Sequence, residues 1–220
     1  MTYKESFIKF MEECGVLTFG SFTLKSGRQA PYFINAGNYN TGAQLARLGE
    51  FYADCIKENN IAAETLFGPA YKGIPLAATA AASLFNKYGI DLNYAFDRKE
   101  AKDHGEGGLI VGKQLKDGEK IVIIEDVMTS GKALREVLPK LKAEANVDVS
   151  SMVIQVDRME RGLTSELSAV EEVKRDFGVT VYPIVTILDI IAAAESGLIK
   201  GKEYVPAMLE YRAQYGVGLK

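Results

Sequence analysis

The sequence predicts an α/β fold: a central, mainly parallel sheet with helices on both faces. Three observations carry that expectation. From Thr65 to Ile187, short apolar runs alternate with longer segments of helical period. The clearest run, Ile121-Val122-Ile123-Ile124, is apolar at consecutive positions, as in a strand buried on both faces. Polar, Gly-bearing loops follow the runs at Gly68–Gly73 and Glu125–Gly131, and open parallel sheets bind ligands at such strand ends.

The elements follow in order. Tyr3 to Cys14 is a short amphipathic helix with Phe7, Ile8, Phe10 and Met11 on its apolar side, ended by Gly15. Leu17 to Leu24 alternates as a strand or hairpin arm, Lys25-Ser26-Gly27-Arg28 is a turn, and Pro31 to Ile34 is extended. Thr41 to Asn59 is a long helix with Leu45, Leu48, Phe51, Tyr52, Cys55 and Ile56 on one face. Then come the strand Thr65–Phe67, the Ala-rich helix Ile74–Tyr88, the strand Asp91–Phe96 and a loop from Arg98 to Gly108. The central strand Lys120–Asp126 leads into a helix over Ser130–Ala145. The strand Val149–Val156, the helix Leu167–Phe177 and the strand Val179–Ile187 complete the alternation. Leu188–Gly197 and Val205–Tyr215 are terminal helices. A single domain is expected, with a core over about residues 62–187 and a small cap from about 1–40 and 188–220.

Composition narrows the class. The 220 residues are 47% hydrophobic and 25% charged, enough for a sizeable core in one domain. A net charge of −3 gives no broad nucleic-acid footprint, so affinity for phosphate must be local. Cys14 and Cys55 form no metal-ligand spacing and read as reduced, buried thiols of a cytoplasmic protein. The early charges of Met1–Phe7 do not make a signal peptide, and the weakly polar run Ile74–Phe85 is too short to span a bilayer.

Residues 121–133 carry the chemistry. Glu125 and Asp126 are expected where the strand surfaces, and Thr129-Ser130-Gly131 forms a turn that also caps the next helix. Two carboxylates then stand beside backbone N–H groups at a helix N-terminus, which bind phosphate. Carboxylates repel phosphate but accept hydrogen bonds from sugar hydroxyls, so a ribose 5-phosphate satisfies both halves. A P-loop is excluded, because Asp126 and Ala133 stand where it needs Gly and Ser or Thr. Gly105-Glu106-Gly107-Gly108 is no dinucleotide fingerprint, since Ile110 falls at its sixth position. Taken alone, an ordinary strand, turn and N-cap would also explain 121–133.

The loop from Arg98 to Gly108 holds Arg98, Lys99, Lys102 and His104, then glycines at 105, 107 and 108. A solvated hairpin loop is the plain reading. A closing lid is the functional one: its cations would neutralise an anionic leaving group and exclude water.

The pattern at 121–133 resembles the phosphoribosyl-pyrophosphate signature of the type I phosphoribosyltransferases. Further segments resemble the orotate phosphoribosyltransferase family over nearly the whole chain. They are Phe22–Arg28, Pro31–Gly37, Gly68–Gly73, Arg98–Gly107, Glu125–Ala133 and Asp157–Gly162. The resemblance implies the type I phosphoribosyltransferase fold with its hood, and a pentosyl transfer from 5-phosphoribosyl 1-diphosphate to orotate in pyrimidine (UMP) biosynthesis. It implies Mg²⁺ carried on the diphosphate rather than by a side-chain ligand set. It also implies a cytoplasmic homodimer whose sites are shared between subunits, with no nucleic-acid or membrane partner.

Residue roles carry over in the same way. Lys25 reaches both ligands from the cap, and Phe33 and Ile34 lie along orotate. The family often has a second Phe at the position of Ile34, so there only backbone contact is implied. Tyr71 and Lys72 hold the pyrophosphate. Arg98, Lys99, Lys102 and His104 form the lid, and Lys102, His104 and Asp126 are the catalytic residues. Glu125, where many relatives carry Asp, and Asp126 take the ribose hydroxyls. Val127, Met128, Thr129, Ser130, Gly131, Lys132 and Ala133 take the 5′-phosphate, Thr129 also touches orotate, and Arg158 pairs with the orotate carboxylate. A transferase for another base and a non-catalytic phosphoribosyl-pyrophosphate-binding regulator are the alternatives. Thr129 with Arg158 speaks against the first. A complete lid and acidic net charge speak against the second.

Overall fold

A computed structural model describes residues 1–24, 26–102, 108–128, 131–162 and 165–218, with only the backbone described at 101 and 102. The central sheet has six strands. They are β3 (Thr65–Gly68), β4 (Asn93–Lys102), β5 (Gly108–Gly112), β6 (Lys120–Ile124), β7 (Asp148–Asp157) and β8 (Thr180–Thr186). Their spatial order is β5-β4-β3-β6-β7-β8. All neighbours are parallel except β4 and β5, which are antiparallel.

This order decides where a ligand can sit. From β3 the chain steps outward to β4, then returns to build β6, β7 and β8 on the other side. The order therefore reverses between β3 and β6, and the loops leaving those two strands diverge to open a crevice.

Both faces of the sheet are covered, which is why its strands are apolar on consecutive residues. Val122 and Ile124 of β6 join one cluster with Leu66, Val153, Phe51, Tyr52, Leu84 and Ile190. Ile121 and Ile123 point the other way, to Phe67, Met152, Leu134, Leu141 and Val173. The first cluster involves helices α1 (Tyr3–Glu13), α2 (Gly42–Glu58), α3 (Gly73–Tyr88), α6 (Ile187–Ser196) and α7 (Val205–Tyr215). The second involves α4 (Lys132–Glu144) and α5 (Ala169–Phe177).

The N-terminal hairpin stands apart from this sheet. Strands β1 (Leu17–Thr23) and β2 (Gln29–Ile34) pair antiparallel, Leu17 opposite Ile34, with a register shift between Phe19 and Phe22. Val16, Leu17, Ala30 and Tyr32 nevertheless join the first cluster, together with Met208 and Tyr211 of α7.

Three expectations need correction. The segment from Arg98 to Lys102 is strand rather than loop: β4 continues to Lys102, and β5, unexpected from the sequence, pairs back onto it with Phe96 opposite Val111 and Lys102 opposite Gly108, while 103–107 lie outside the described residues. Backbone pairing asks nothing of the side chains, so a strand tolerates a charge run that shows no apolar period. Leu109-Ile110-Val111 was the available signal for β5. Second, β6 ends at Ile124, and Glu125 and Asp126 are half-buried rather than on an open surface. Third, Cys14 is only half-buried, whereas Cys55 is buried; both thiols are free.

Candidate active site

The two loops that leave β3 and β6 meet across the crevice. Lys72 Nζ lies 2.8 Å from Asp126 Oδ2. The hydrogen bond to Asp126 holds the Lys72 ammonium above its usual pKa. Asp126 Oδ1 accepts the Val127 N–H at 2.7 Å, which fixes the carboxylate beside its own backbone. Glu125 Oε1 accepts the Asp126 N–H at 3.0 Å, and the buried Tyr52 hydroxyl donates to the Glu125 carbonyl at 2.7 Å. Burial pushes the Glu125 carboxyl up to about 7, and the neighbouring Asp126 charge adds to that rise.

Tyr71, beside Lys72, is 71% exposed. The loop that carries both is tied down from β4, because Asp97 Oδ1 accepts the Ala70 N–H at 2.7 Å. Asp97 is buried, and its other oxygen pairs with Lys140 of α4. This tether has no motif, but a lone acid after Tyr94-Ala95-Phe96 in a buried strand was its sequence signal.

Helix α4 begins at Lys132, with Gly131 at φ +64° as its N-cap and no capping side chain. Gly131 is required there: the backbone is left-handed, and a Cβ would come within 2.8 Å of Val173 Cγ2. Val127, Met128 and Ala133 are half-buried around this turn, while Lys132 is exposed and 3.7 Å from Glu136. Lys99 reaches the same Glu136 at 4.0 Å, and Arg98 donates to the Gly108 carbonyl.

Arg158 follows directly on β7. A bridge between Val127 and Val156 sets this strand end beside the acidic pair. Arg158 does not pair with Asp157, the plain alternative for it. Asp157 instead accepts the Met159 N–H at 2.8 Å, and Arg158 Nε lies 3.6 Å from Glu160 Oε1. Burial raises the Asp157 carboxyl, against the pull of that N–H. Phe33 of the hairpin is 40% exposed and stacks on Phe22 at 5.5 Å, and Ile34 is half-buried. The hairpin is tied to this strand end because the Tyr32 hydroxyl donates to Glu160 at 3.0 Å.

The structure thus brings together Tyr71, Lys72, Glu125, Asp126, Val127, Met128, Gly131, Lys132 and Ala133 at the switch point, with Arg158 adjoining. Arg98 and Lys99 rise from β4 at its side. Lys25, His104, Thr129 and Ser130 lie outside the described residues, as does the Lys102 side chain. As donors, the Glu125 and Asp126 oxygens suit a hard cation. Among the described residues no group of three His, Cys, Asp or Glu could hold a metal ion.

Residues 35–182, which include this carboxylate pair, the uncapped start of α4 and Arg158, match the phosphoribosyl transferase domain family. The chain is 50% identical over 222 residues to orotate phosphoribosyltransferase of Bifidobacterium animalis subsp. lactis, covering 96% of each. It is 49% identical over 220 residues to that of Clostridium beijerinckii, covering 97% of this chain and 98% of the relative. The crystal structure of orotate phosphoribosyltransferase from Francisella tularensis superposes with a TM-score of 0.86 at 41% identity, over 96% of this chain and 99% of that one. The chain belongs to the orotate phosphoribosyltransferase family.

Proposed function

We infer that this chain transfers the ribose 5-phosphate group of 5-phosphoribosyl 1-diphosphate to orotate, giving orotidine 5′-phosphate and diphosphate. The observation that carries the reading is the meeting of Lys72 and Asp126 at 2.8 Å beside the uncapped start of α4. Glu125 and Asp126 accept the two ribose hydroxyls, and the backbone from 127 to 133 receives the 5′-phosphate. That pins the sugar at both ends and leaves the anomeric carbon facing the base site. Lys72 is already in the crevice, and its hold on Asp126 exchanges for diphosphate oxygens as substrate enters. Orotate lies between Phe33 and Arg158, whose guanidinium pairs with the carboxylate that distinguishes orotate from uracil.

The reaction displaces diphosphate at the anomeric carbon through a transition state with oxocarbenium character. No covalent nucleophile is required, so catalysis is positioning and charge neutralisation. Tyr71 and Lys72, the β4–β5 ribbon cations Arg98, Lys99 and Lys102, and His104 meet the charge that develops on the leaving diphosphate. Closure of the ribbon would exclude water from a centre that hydrolyses readily. Mg²⁺ would arrive with the diphosphate, beside Glu125 and Asp126, and would supply further charge neutralisation.

The reading includes a cytoplasmic homodimer with sites shared between subunits. Phe85 of α3 and Tyr94 of β4 support an interface, being 57% and 46% exposed. Free Cys14 and Cys55 suit a reducing compartment. No helix among the described residues is long and apolar enough to cross a membrane. Mixing Lys102→Ala with Asp126→Asn chains is expected to regain activity in verified heterodimers; none regained would leave each chain closing its own site.

The deciding assay follows orotate loss by absorbance with phosphoribosyl pyrophosphate and Mg²⁺, against uracil and hypoxanthine. Orotate alone should be consumed. Turnover of uracil or hypoxanthine instead would make the chain a transferase for another base. Phosphoribosyl-pyrophosphate binding without turnover of any base would make it a regulator.

A further inference from the structure

Glu160 is the hub of a polar cluster, and the proposed reaction gives Glu160 itself no role. Its side chain is nearly buried, and three donors from separate parts of the chain converge on it. The Tyr32 hydroxyl of β2 donates to Oε1 at 3.0 Å. Arg28 Nη1, at the hairpin turn, lies 3.4 Å from Oε2. Arg158 Nε, at the end of β7, lies 3.6 Å from Oε1. The other terminal nitrogen of Arg28 donates to the carbonyls of Arg161 and Gly162, and its guanidinium sits 4.6 Å over the Tyr215 ring. The Glu160 backbone bridges to Gly216, and Arg161 N–H donates to the Tyr215 carbonyl.

Two features make this more than a structural tie. First, the ion pair of Glu160 with Arg158 is at Nε, 3.6 Å away. Among the described residues, the two terminal nitrogens of Arg158 make no hydrogen bond. Those are the donors that read a carboxylate bidentately. Second, Glu160 stands between two guanidiniums in a half-buried setting. Without its charge, Arg28 and Arg158 repel each other where solvent screens them poorly. Arg28 is held by two carbonyls and a ring, so Arg158 is the partner free to turn away.

We propose that Glu160 is a positioning residue for base recognition: anchored by Tyr32 and Arg28, it orients Arg158 through Nε and leaves the Arg158 fork to the orotate carboxylate. This rests on the reading that Arg158 pairs with that carboxylate. Through the same residue, docking of the hairpin that carries Phe33 is coupled to the aim of Arg158. Both walls of the base site are then set by one carboxylate.

A double-mutant cycle tests it, using dissociation constants for orotate and for phosphoribosyl pyrophosphate. Glu160→Gln, which keeps the volume, should weaken orotate binding about tenfold, on the scale of coupling within one hydrogen-bond network. Phosphoribosyl-pyrophosphate binding should stay within about twofold, because the acidic pair is not part of the cluster. In an Arg158→Ala background, Glu160→Gln should cost nothing more. An equal loss in both backgrounds would show that Glu160 only supports the hairpin, and no loss in either would remove it from recognition; both overturn the proposal. If Arg158→Ala alone leaves orotate binding unchanged, the Arg158 reading fails instead. Should Glu160→Gln not fold, Tyr32→Phe removes one anchor of the same carboxylate. It must then show a smaller loss of the same selectivity, absent in the Arg158→Ala background. Equal weakening of both substrates by Tyr32→Phe would count against the proposal.

Discussion

The helix that opens on the binding crevice and the helices that start elsewhere are built differently at their N-termini. α1, α2, α5 and α6 each begin with a reciprocal box: Thr2 with Glu5, Thr41 with Gln44, Ser168 with Glu171 and Thr186 with Asp189. Each box satisfies two backbone donors that the helix cannot satisfy itself. α3, α4 and α7 have no capping side chain. Two of these have another remedy. α7 carries Pro206 in its first turn, and α3 carries Pro75 while its Gly73 and Ile74 N–H groups bond to Pro69 and Tyr71 carbonyls. Only α4 begins with a bare glycine and no such substitute among the described residues. With no capping side chain, that start is left for the phosphate proposed above to complete.

The comparison can be broken most strongly at the loop before α3. A Cβ at Gly68 would lie 2.1 Å from the Gly73 carbonyl oxygen, which is backbone and cannot step aside. Gly68→Ala should therefore lose about 3 kcal/mol or more in urea unfolding, the upper range of overpacking. A loss below about 1 kcal/mol would show that this loop is not held as tightly as its contacts imply.

At the site itself, Asp126→Asn removes a charge that pairs with Lys72 but keeps an oxygen for the Val127 N–H. Phosphoribosyl-pyrophosphate affinity should fall by about 1.5–3 kcal/mol, the value of a hydrogen bond to a charged group. Isothermal titration reads this directly, and unchanged affinity would sink the ribose-hydroxyl assignment.

Glu125 sharpens the same contrast through pH. Its carboxyl is raised from 4.5 to about 7 in the folded chain. A raised acid binds its proton more tightly when folded, so its contribution to stability is complete below about 4.5 and is lost as pH rises through about 7. Ligand binding should run the opposite way, because sugar hydroxyls donate best to the ionised form. Between pH 6 and 8, phosphoribosyl-pyrophosphate affinity should gain about tenfold in the wild type beyond the change seen in Glu125→Gln. Parallel profiles for the two proteins would show that Glu125 does not titrate in that window.

The smallest effect belongs to an ordinary cap. Thr41→Ala should cost about 1 kcal/mol of stability, as at other N-caps, with no change in either substrate constant. A change in phosphoribosyl-pyrophosphate binding from Thr41→Ala would mean that capped and uncapped ends are not separable as drawn here.

Legibility in the sequence followed the range of the interactions. The run 121–124, Gly131 and the acidic pair act on near neighbours, so local pattern alone exposed most of the sheet and most helices. β5 and the length of β4 were missed because strand pairing is a relation between distant backbones and leaves little trace in side-chain period. The Asp97 tether, the Lys72–Asp126 contact and the convergence on Glu160 were invisible for a related reason. Each joins residues 27 to 132 positions apart. Local sequence determined which segments form and which residue types stand at their ends. The reversal of strand order between β3 and β6 decided that those ends meet. There a half-buried carboxylate pair, a lysine and an uncapped helix come close enough for their fields to act on one another, since salt water screens such interactions beyond about 8–10 Å.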